Sequence, residues 1–226
     1  PSHIGYVMMF DGAHGEVMGL ADASVITEVR TGAVSGVATD LLARKDAHHL
    51  AVIGTGAQGR SHLAAMMEVR DIQKVTVYDQ RREAAKKYQK EMEEKYKVPV
   101  MVCDSVEEAV KGAEIICTVT PSKEPYLKAE WIAPGAHINA VGAFTPNTRE
   151  IESRLMAKAK LYADQVEAMK KECGEYLIPK DEGLFGEEHI TGSIGGILAG
   201  KVPGRENDTE ITLFDALGLA VEDVAC

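Results

Sequence analysis

A glycine-rich turn between a short apolar strand and a helix is the feature that most constrains this chain. The turn consists of Gly54, Thr55, Gly56, Ala57, Gln58 and Gly59. It follows the apolar run 49–53 and opens the apolar-periodic stretch 57–69. Gly54 permits a tight turn, Gly56 lets backbone approach a diphosphate, and Gly59 lets the helix pack closely on a sheet. Free N–H groups at the start of the helix would face the phosphates, so the pattern predicts a dinucleotide-binding βαβ unit.

The end of the next strand indicates which dinucleotide is bound. Asp79 follows the strand predicted at 75–78, close to the ~20-residue spacing expected for the carboxylate that binds an adenosine ribose. Its negative charge would repel a 2′-phosphate, which favours NAD. Arg81 and Arg82 follow at once and could receive that phosphate, so NADP is the alternative. A glycine-rich turn of another doubly wound domain, such as a flavodoxin-like one, is the competing interpretation.

Short apolar strands alternate with helices beyond the glycine turn. Strands are predicted at 49–53, 75–78, 100–102, 115–119, 137–141 and 160–163, and helices at 57–69, 82–97 and 105–111. Residues 183–195 are glycine-rich and are predicted to be irregular, a late strand is predicted at 210–214, and residues from 218 onward are predicted to be helical. Alternating strands and helices build a parallel sheet with right-handed crossovers. The predicted fold is therefore α/β, with a Rossmann-type doubly wound parallel sheet.

The segment before the glycine turn follows a different pattern. Residues 5–20 contain two apolar stretches around a turn cluster, which predicts a hairpin with a longer loop. Asp22 can cap a helix over residues 23–42. Gly32 and Gly36 lie one turn apart in that helix, where a glycine costs about 1 kcal/mol relative to alanine. The two glycines therefore indicate that another element packs very close to this helix.

Two further segments end predicted strands of the sheet. They comprise Thr118, Val119 and Thr120 at the end of one strand, and Val141 and Gly142 at the end of another. Ligands of doubly wound sheets bind beyond the carboxyl ends of the strands. Both segments are therefore predicted to contact the cofactor, and ordinary strand-ending turns are the alternative interpretation.

Arg30 is a charged residue on an apolar helix face. It lies four residues after Ile26 and four before Val34, so the three share one face. A buried guanidinium needs a carboxylate or phosphate partner, and its planar fork fits a carboxylate at two points. An amino-acid-like substrate would supply one. An internal ion pair with an acid such as Glu28 or Asp215, or an arginine that extends to solvent, is the alternative.

Composition excludes several classes of function. Lys and Arg number 25 against 35 Asp and Glu, and the resulting net charge of −10 disfavours nucleic-acid binding. No apolar run approaches the ~18–20 residues that span a bilayer, so no membrane partner is expected. Cys103, Cys117, Cys173 and Cys226 show no CxxC spacing and are interpreted as free thiols in a reducing compartment, which predicts a cytoplasmic protein. No histidine pair has metal-ligand spacing, so no metal is predicted.

Four blocks of this sequence resemble one known family. The blocks are residues 26–33 around Arg30, the glycine turn, residues 138–146 (Ile-Asn-Ala-Val-Gly-Ala-Phe-Thr-Pro) and residues 212–224. They occur in order and with matching gaps, from about Gly5 to the end of the chain. The chain is identified by this resemblance as a member of the ornithine cyclodeaminase/mu-crystallin family.

The resemblance implies a homodimer in which NAD(P) exchanges hydride with the Cα of an amino acid or its imine. It implies that residues 1–48 form part of an α+β substrate and dimerisation domain and that residues 49–201 form the NAD(P)-binding Rossmann domain. Residues 202–226 would be a return segment that packs on the first domain. It also implies that Arg30 binds the substrate carboxylate, that Ala57 and Gln58 bind the diphosphate, and that Asp79 binds the ribose. Residues 118–120 and 141–144 would line the cofactor, with Ala216 and Leu217 near the nicotinamide and substrate.

One position departs from the cyclodeaminases of this family. Those enzymes have an acid/base aspartate where this chain has Phe144, and the Phe-Thr-Pro pattern is more similar to reductases of cyclic imines. The expected function is therefore an NAD(P)-dependent reductase of a ketimine or cyclic imino acid similar to pyrroline-2-carboxylate. An ornithine cyclodeaminase and a non-catalytic, crystallin-like NAD(P)-binding protein are the alternatives. Thr145, Asn147 and Glu150 are the only polar substitutes nearby, and the proton donor is instead expected in the segment that family members have ahead of Pro1.

The first residue also bears on the expected activity. The chain begins with Pro1, and family members normally have roughly eighty further residues ahead of this point, including an arginine and a lysine that contact substrate. A polypeptide that begins at Pro1 is therefore expected to bind NAD(H) without turning over an amino acid or imine.

Overall fold

A parallel sheet of eight strands organises the part of the chain that the computed structural model describes, residues 5–225. The Cys226 thiol of the sequence analysis lies outside these residues. The strands are β1 Tyr6–Phe10, β2 Val17–Asp22, β3 His49–Ile53, β4 Lys74–Tyr78, β5 Val100–Val102, β6 Ile115–Thr118, β7 His137–Ala140, β8 Lys160–Ala163, β9 Ile190–Ser193 and β10 Thr212–Asp215. The helices are α1 Ala23–Leu42, α2 Ala57–Val69, α3 Arg82–Tyr96, α4 Val106–Val110, α5 Ser153–Lys158, α6 Val166–Glu172, α7 Gly174–Asp181, α8 Ile194–Leu198 and α9 Ala220–Ala225.

The strand order in the large sheet is β5-β4-β3-β6-β7-β10-β8-β9, and each neighbouring pair is parallel. Successive side chains of β3 enter opposite cores, with Leu50 and Val52 on one face and Ala51 and Ile53 on the other. Strands that are buried on both faces read as continuous apolar runs. The pattern around residues 49–53 therefore predicted this sheet, and the predicted α/β fold class is confirmed.

The hairpin and the first helix form as the sequence indicates. β1 and β2 pair antiparallel as a separate two-stranded sheet. Asp22 caps α1 by accepting a hydrogen bond from the Ser24 N–H at 2.7 Å. α1 packs on α2, where a Cβ on Gly32 would lie 2.8 Å from the Ser61 carbonyl oxygen and one on Gly36 would lie 3.3 Å from the Ala65 Cβ. The prediction of close packing at both glycines is confirmed.

The end of the chain differs from the sequence analysis in one respect. Residues 202–226 were expected to pack on the first segment, and α9 does contact α1 and β1. The strand within that range, β10, instead lies between β7 and β8 in the middle of the sheet. Its four residues are buried on both faces, which only an interior position of the sheet provides.

The prediction of irregular structure over residues 183–195 is wrong for part of that range. Ile190–Ser193 forms β9, the parallel edge strand beside β8. Gly192 has a φ of +157°, and a Cβ there would lie 2.8 Å from the side chain of Val202. Glycine is needed here for close packing against Val202, and the glycine-rich composition therefore does not mark a loop.

A buried histidine joins α1 to α2 and makes folding sensitive to acid. His62 is fully buried, with Nε2 2.9 Å from the Ser35 hydroxyl and Nδ1 2.7 Å from the Gln58 carbonyl oxygen. Burial lowers the pKa of His62 to about 4. The unfolded chain, with a histidine pKa of ~6.5, binds the proton first as the pH falls. Stability from this residue is therefore present above pH ~6.5 and is lost between pH ~6.5 and ~4.

We expect His62→Gln to reduce the loss of unfolding free energy that occurs as the pH falls below 7. Between pH 7 and pH 5 the wild-type protein should lose about 2 kcal/mol of unfolding free energy through His62 alone. Urea unfolding at both pH values measures this loss, with His14→Gln at an exposed position of the hairpin loop as the control. Equal losses in the wild type and in His62→Gln would contradict the assignment.

Candidate cofactor and substrate site

The strand order of the sheet reverses between β3 and β6, which creates a crevice at their carboxyl ends. Ile53 of β3 is in register with Thr118 of β6, so the segments after them begin side by side. A Cβ on Gly54 would lie 2.8 Å from the Val119 carbonyl oxygen and 3.0 Å from Cγ2 of Thr120. The glycine turn and the 118–120 segment, predicted separately to bind the cofactor, are therefore in direct contact.

The glycine turn has the shape that a diphosphate requires. Gly54 has a φ of +103° and donates its N–H to the Tyr78 carbonyl oxygen at 2.9 Å. A Cβ on Gly59 would lie 2.3 Å from the Gly54 carbonyl oxygen, so the third glycine permits the tight turn–helix contact. A Cβ on Gly56 would meet nothing within 4 Å, so open space lies beside this backbone. α2 begins at Ala57 without a side-chain cap, which leaves first-turn N–H groups for an anion.

Asp79 lies beside this turn as an ionised carboxylate. Its Oδ2 accepts the backbone N–H and the hydroxyl of Thr55 at 3.0 and 2.8 Å, and its Oδ1 accepts the Arg81 N–H at 2.9 Å. Burial raises the pKa of Asp79, but hydrogen bonds from the Thr55 and Arg81 N–H groups outweigh it, and the pKa is lowered overall. The Arg81 guanidinium is exposed, whereas Arg82 pairs with Asp104. Of the two arginines, Arg81 is the one close to Asp79.

Arg60 is a further cation at the turn that the sequence analysis did not identify. Its Nη1 donates to the carbonyl oxygens of Thr55 and Gly56 at 2.5 and 3.0 Å. Its Nε and Nη2 donate to the Glu91 carboxylate at 3.0 and 2.6 Å. The sequence signal that could have identified Arg60 is its position: it is a basic residue one turn into the helix that follows a glycine turn. The guanidinium fixes two carbonyl groups of the turn, and its charge is paired with Glu91.

Arg30 lies where α1, α9 and the segment after β10 meet. Its Nε donates to Asp223 Oδ1 at 2.9 Å and its Nη1 donates to Glu222 Oε2 at 3.2 Å. A Cβ on Gly218 would lie 2.7 Å from Nη1, so the backbone approaches the guanidinium closely there. The side chain is 13 % exposed. The internal ion pair weighed in the sequence analysis exists, but its partners are Glu222 and Asp223, since α9 packs on α1.

The helix that carries Arg30 also contacts the glycine turn. Gln58 Nε2 donates to the Thr27 carbonyl oxygen at 3.4 Å, and Thr27 lies one turn before Arg30. Together with the close contact at Gly32, this fixes α1 against the start of α2. The candidate substrate cation and the candidate diphosphate turn are thereby held on two adjoining helices.

Two aspartates at the ends of neighbouring strands flank the segment after β10. Asp164 follows β8 and accepts the Gly218 N–H at 2.7 Å, next to the half-buried Leu217. Burial raises the pKa of Asp164. Asp215 ends β10, is fully buried, and accepts the Cys173 Sγ–H at 3.3 Å. Burial raises the pKa of Asp215 well above its ordinary value, and the charges of Asp164 and Glu150 add to this effect.

Glu150, one of the three polar residues considered as a proton donor, lies under the crevice and is fully buried. Its carboxylate accepts hydrogen bonds from Thr120, Tyr126 and Gly142. Burial raises the pKa of Glu150, and the hydrogen bonds from Thr120 and Tyr126 oppose that effect. The neighbouring Phe144 is about half exposed at the rim. Glu150 therefore contacts two of the segments that were predicted to line the cofactor.

Residues 5–225 contain neither a cluster suited to a metal ion nor a helix suited to a membrane. No cluster of three or more His, Cys, Asp and Glu side chains in this part of the chain could hold a metal ion. Among its helices, none combines the length and the apolar character needed to cross a membrane.

A family model described as "Ornithine cyclodeaminase/mu-crystallin family" matches residues 1–226. The chain belongs to this family. A Delta(1)-pyrroline-2-carboxylate reductase of Bacillus cereus is 42 % identical over 221 residues, which cover 97 % of this chain and 68 % of that protein. The family resemblance deduced from the four sequence blocks is thus confirmed.

Two solved structures have a very similar fold over nearly the whole of this chain. The Thermococcus litoralis Delta(1)-pyrroline-2-carboxylate reductase in complex with NADH and L-proline matches with a TM-score of 0.97 at 41 % identity, over 99 % of this chain and 69 % of that one. An archaeal alanine dehydrogenase dimer with bound NAD matches with a TM-score of 0.94 at 38 % identity, over 100 % of this chain and 69 % of that one. The similarity covers both the sheet and the preceding hairpin and helix.

Proposed function

We propose that this protein is an NAD-dependent oxidoreductase that reduces a cyclic imino acid of the pyrroline-2-carboxylate type to the amino acid. The observation that carries this proposal is the TM-score of 0.97, over 99 % of the chain, to a reductase in complex with NADH and L-proline. The 42 % identity to a second pyrroline-2-carboxylate reductase supports the same reaction. NADH supplies the hydride that converts the C=N bond to an amine, with a proton taken up at nitrogen.

The cofactor is proposed to lie along the carboxyl edge of β4, β3, β6 and β7. The six residues of the glycine turn, Gly54, Thr55, Gly56, Ala57, Gln58 and Gly59, would hold the diphosphate, in line with the open space beside Gly56 and the uncapped start of α2. Asp79 would accept hydrogen bonds from the ribose hydroxyls. The segments with Thr118, Val119, Thr120, Val141 and Gly142, together with Leu217, would enclose the nicotinamide half. The charge of Asp79 favours NAD over NADP, with Arg81 the nearest cation for a 2′-phosphate.

Arg30 is proposed to bind the substrate carboxylate. Its planar fork contacts two carboxylates, those of Glu222 and Asp223, so its donors are placed to bind a carboxylate group. A substrate carboxylate would displace one of these two carboxylates from the guanidinium or would share the guanidinium with it. Held on α1 beside the glycine turn, the bound imino acid would present its Cα to the nicotinamide.

The hairpin supports a proposed homodimer. Both faces of β1 and β2 are apolar and exposed, at Tyr6, Met8, Met9, Phe10, Val17, Met18 and Leu20. An isolated two-stranded hairpin is at best marginally stable, and an apolar surface of this kind marks an interface. One of the similar structures is a dimer. The division into residues 1–48, 49–201 and 202–226 remains a proposal, with β10 belonging to the sheet.

A cytoplasmic location is proposed from the cysteines. Cys103, Cys117 and Cys173 are buried free thiols. Free thiols of this kind are typical of proteins in reducing compartments.

Steady-state assays with NADH test the proposed reaction. The assay uses the longest natural polypeptide that contains these residues, with 1-pyrroline-2-carboxylate and with L-ornithine as separate substrates. We expect stoichiometric NADH consumption and proline formation from the cyclic imine only. Proline and ammonia from L-ornithine without net NADH consumption would instead identify a cyclodeaminase. Tight NADH binding without turnover of either compound would favour the non-catalytic alternative.

A further inference from the structure

The Glu150 carboxylate joins the ends of two neighbouring strands of the sheet. Its Oε1 accepts the Thr120 N–H at 2.8 Å, the Thr120 hydroxyl at 2.6 Å and the Tyr126 hydroxyl at 2.6 Å. Its Oε2 accepts the Gly142 N–H at 2.8 Å. Thr120 follows β6 and Gly142 follows β7. One side chain therefore fixes both segments that are proposed to enclose the nicotinamide half.

The contacts continue from these segments to the glycine turn. Thr120 and Val119 pack against Gly54, as the short distances to a Cβ at that position show. A Cβ on Gly142 would lie 2.1 Å from the Thr120 carbonyl oxygen and 2.6 Å from Glu150 Oε2. The segments that follow β3, β6 and β7 thus contact one another in sequence. The Glu150 carboxylate binds the Gly142 segment, which is the one farthest from the glycine turn.

Glu150 is itself fixed from behind by a second buried acid. Glu175, in the first turn of α7, accepts the Glu150 N–H at 2.5 Å and the Ile151 N–H at 3.2 Å. The Glu150 carbonyl oxygen accepts the N–H groups of Tyr126 and Leu127 at 2.8 and 2.9 Å. Backbone and side chain of Glu150 are therefore both held in place, as expected of a residue that determines the position of others.

This environment argues against proton transfer to the substrate. The side chain is fully buried, and all four of its hydrogen bonds come from protein donors. A proton donor must reach the reacting nitrogen directly or through one water. Glu150 has neither an exposed atom nor a carboxylate oxygen without a protein donor.

We propose that Glu150 is a positioning residue for the cofactor, which shapes the nicotinamide end of the crevice by holding the Thr120 and Gly142 segments together. The inference rests on the proposed NAD-dependent function. It gives Glu150 a role that acts through Thr120 and Gly142, in place of the proton-donor role for which Glu150 was one of three candidates.

The variant Glu150→Gln separates the two roles. In its better orientation the amide oxygen occupies the Oε1 position and keeps the three hydrogen bonds from Thr120 and Tyr126. The amide NH₂ then faces the Gly142 N–H, so two donors oppose each other and that segment is released. We expect the Kd for NADH to rise about 10- to 100-fold, measured by NADH fluorescence titration. A proton donor would leave NADH affinity unchanged, because NADH binding requires no proton from it.

The matched control is Glu152→Gln, two residues along the same segment. Its carboxylate accepts the Ala129 N–H at 3.0 Å and contacts neither strand-end segment, so NADH affinity should be unchanged. In turnover assays, Glu150→Gln should raise the KM for NADH and keep the shape of the kcat pH profile. Thermal unfolding of both variants separates loss of stability from loss of cofactor affinity.

Three results decide the inference. If wild-type protein does not bind NADH, the proposed function fails and the positioning role fails with it. If wild type binds NADH and Glu150→Gln binds it equally well, only the positioning role is overturned. If Glu150→Gln does not fold, Tyr126→Phe replaces it, because it removes a donor that fixes Oε1 and so leaves the carboxylate less firmly held between the two segments. A two- to fivefold rise in Kd would then support the role, and an unchanged Kd would overturn it.

Discussion

Replacement of Arg30 by leucine should lower kcat/KM for the imino acid by about 30- to 1000-fold, while NADH affinity stays within about twofold of wild type. The loss corresponds to about 2–4 kcal/mol of transition-state binding, as expected for a charge-assisted two-point contact. Leucine keeps an apolar side chain on this face of α1, which should preserve the helix. Initial rates at varied imine concentration, with NADH binding measured on the same preparation, check both parts of the prediction.

The ion pairs of Arg30 in the structure supply the control for this prediction. Asp223→Asn removes the carboxylate that Nε contacts at 2.9 Å but leaves the guanidinium in place. If Arg30 binds substrate, Asp223→Asn should retain turnover, because a competing anion has been removed. Equal damage from Arg30→Leu and Asp223→Asn, with loss of thermal stability in both, would show that the ion pair is structural and would contradict the substrate role.

Replacement of Asp79 by serine should reduce the preference for NAD over NADP by about 10- to 100-fold. The carboxylate is proposed to accept hydrogen bonds from the ribose hydroxyls, and its charge repels a 2′-phosphate. Serine removes that charge, and the exposed Arg81 lies close enough to pair with the phosphate. Dissociation constants for NADH and NADPH, measured in parallel, give the change in preference.

Asp79 also holds the glycine turn through Thr55, so two further variants are needed. Asp79→Asn keeps an acceptor for Thr55 and removes the charge, so it should improve NADPH binding and should weaken NADH binding less than Asp79→Ser does. The control is Asp71→Ser. Asp71 is an exposed carboxylate just before the amino end of β4, so its replacement should leave the affinities for NADH and NADPH unchanged. Unchanged affinities for both cofactors in Asp79→Ser would mean that the ribose lies elsewhere.

Local sequence signals predicted most of the sheet and the first helix. The bounds of α1, α2, β3 and β8 agree with the prediction. Capping residues, apolar periodicity and turn glycines all determine structure over a few neighbouring residues, so they can be recognised in the sequence. β9 was missed because its glycines suggested a loop, although the close approach of Val202 requires Gly192. α5, α6 and α7 were not predicted, since short helices carry few periodic positions.

The candidate site was predictable only where its residues are close in sequence. The glycine turn and Asp79 belong to one βαβ unit, and their spacing is fixed by it. The partners of Arg30 lie 192 and 193 residues away, on a helix whose position depends on the whole fold. The contacts of Glu150 with Thr120 and Gly142 likewise depend on how three strand ends meet. The position of β10 inside the sheet is a further long-range result that no local pattern indicates.

The expectation that a polypeptide beginning at Pro1 binds NAD(H) without turnover stays a prediction. The same titrations that give the Kd for NADH in the variants test its first part. Assays with the cyclic imine on that polypeptide test the second. Robust turnover by a chain verified by mass to begin at Pro1 would place the proton donor within these residues.

The most direct measurement of the proposed reaction follows the hydride itself. NADH that carries deuterium at both C4 positions is incubated with 1-pyrroline-2-carboxylate and the longest natural polypeptide that contains these residues, and the proline formed is analysed by mass spectrometry. We expect one deuterium per proline, located at Cα, with one NADH consumed for each proline. Proline without deuterium, or NADH that binds and is never oxidised by the imine, would contradict it.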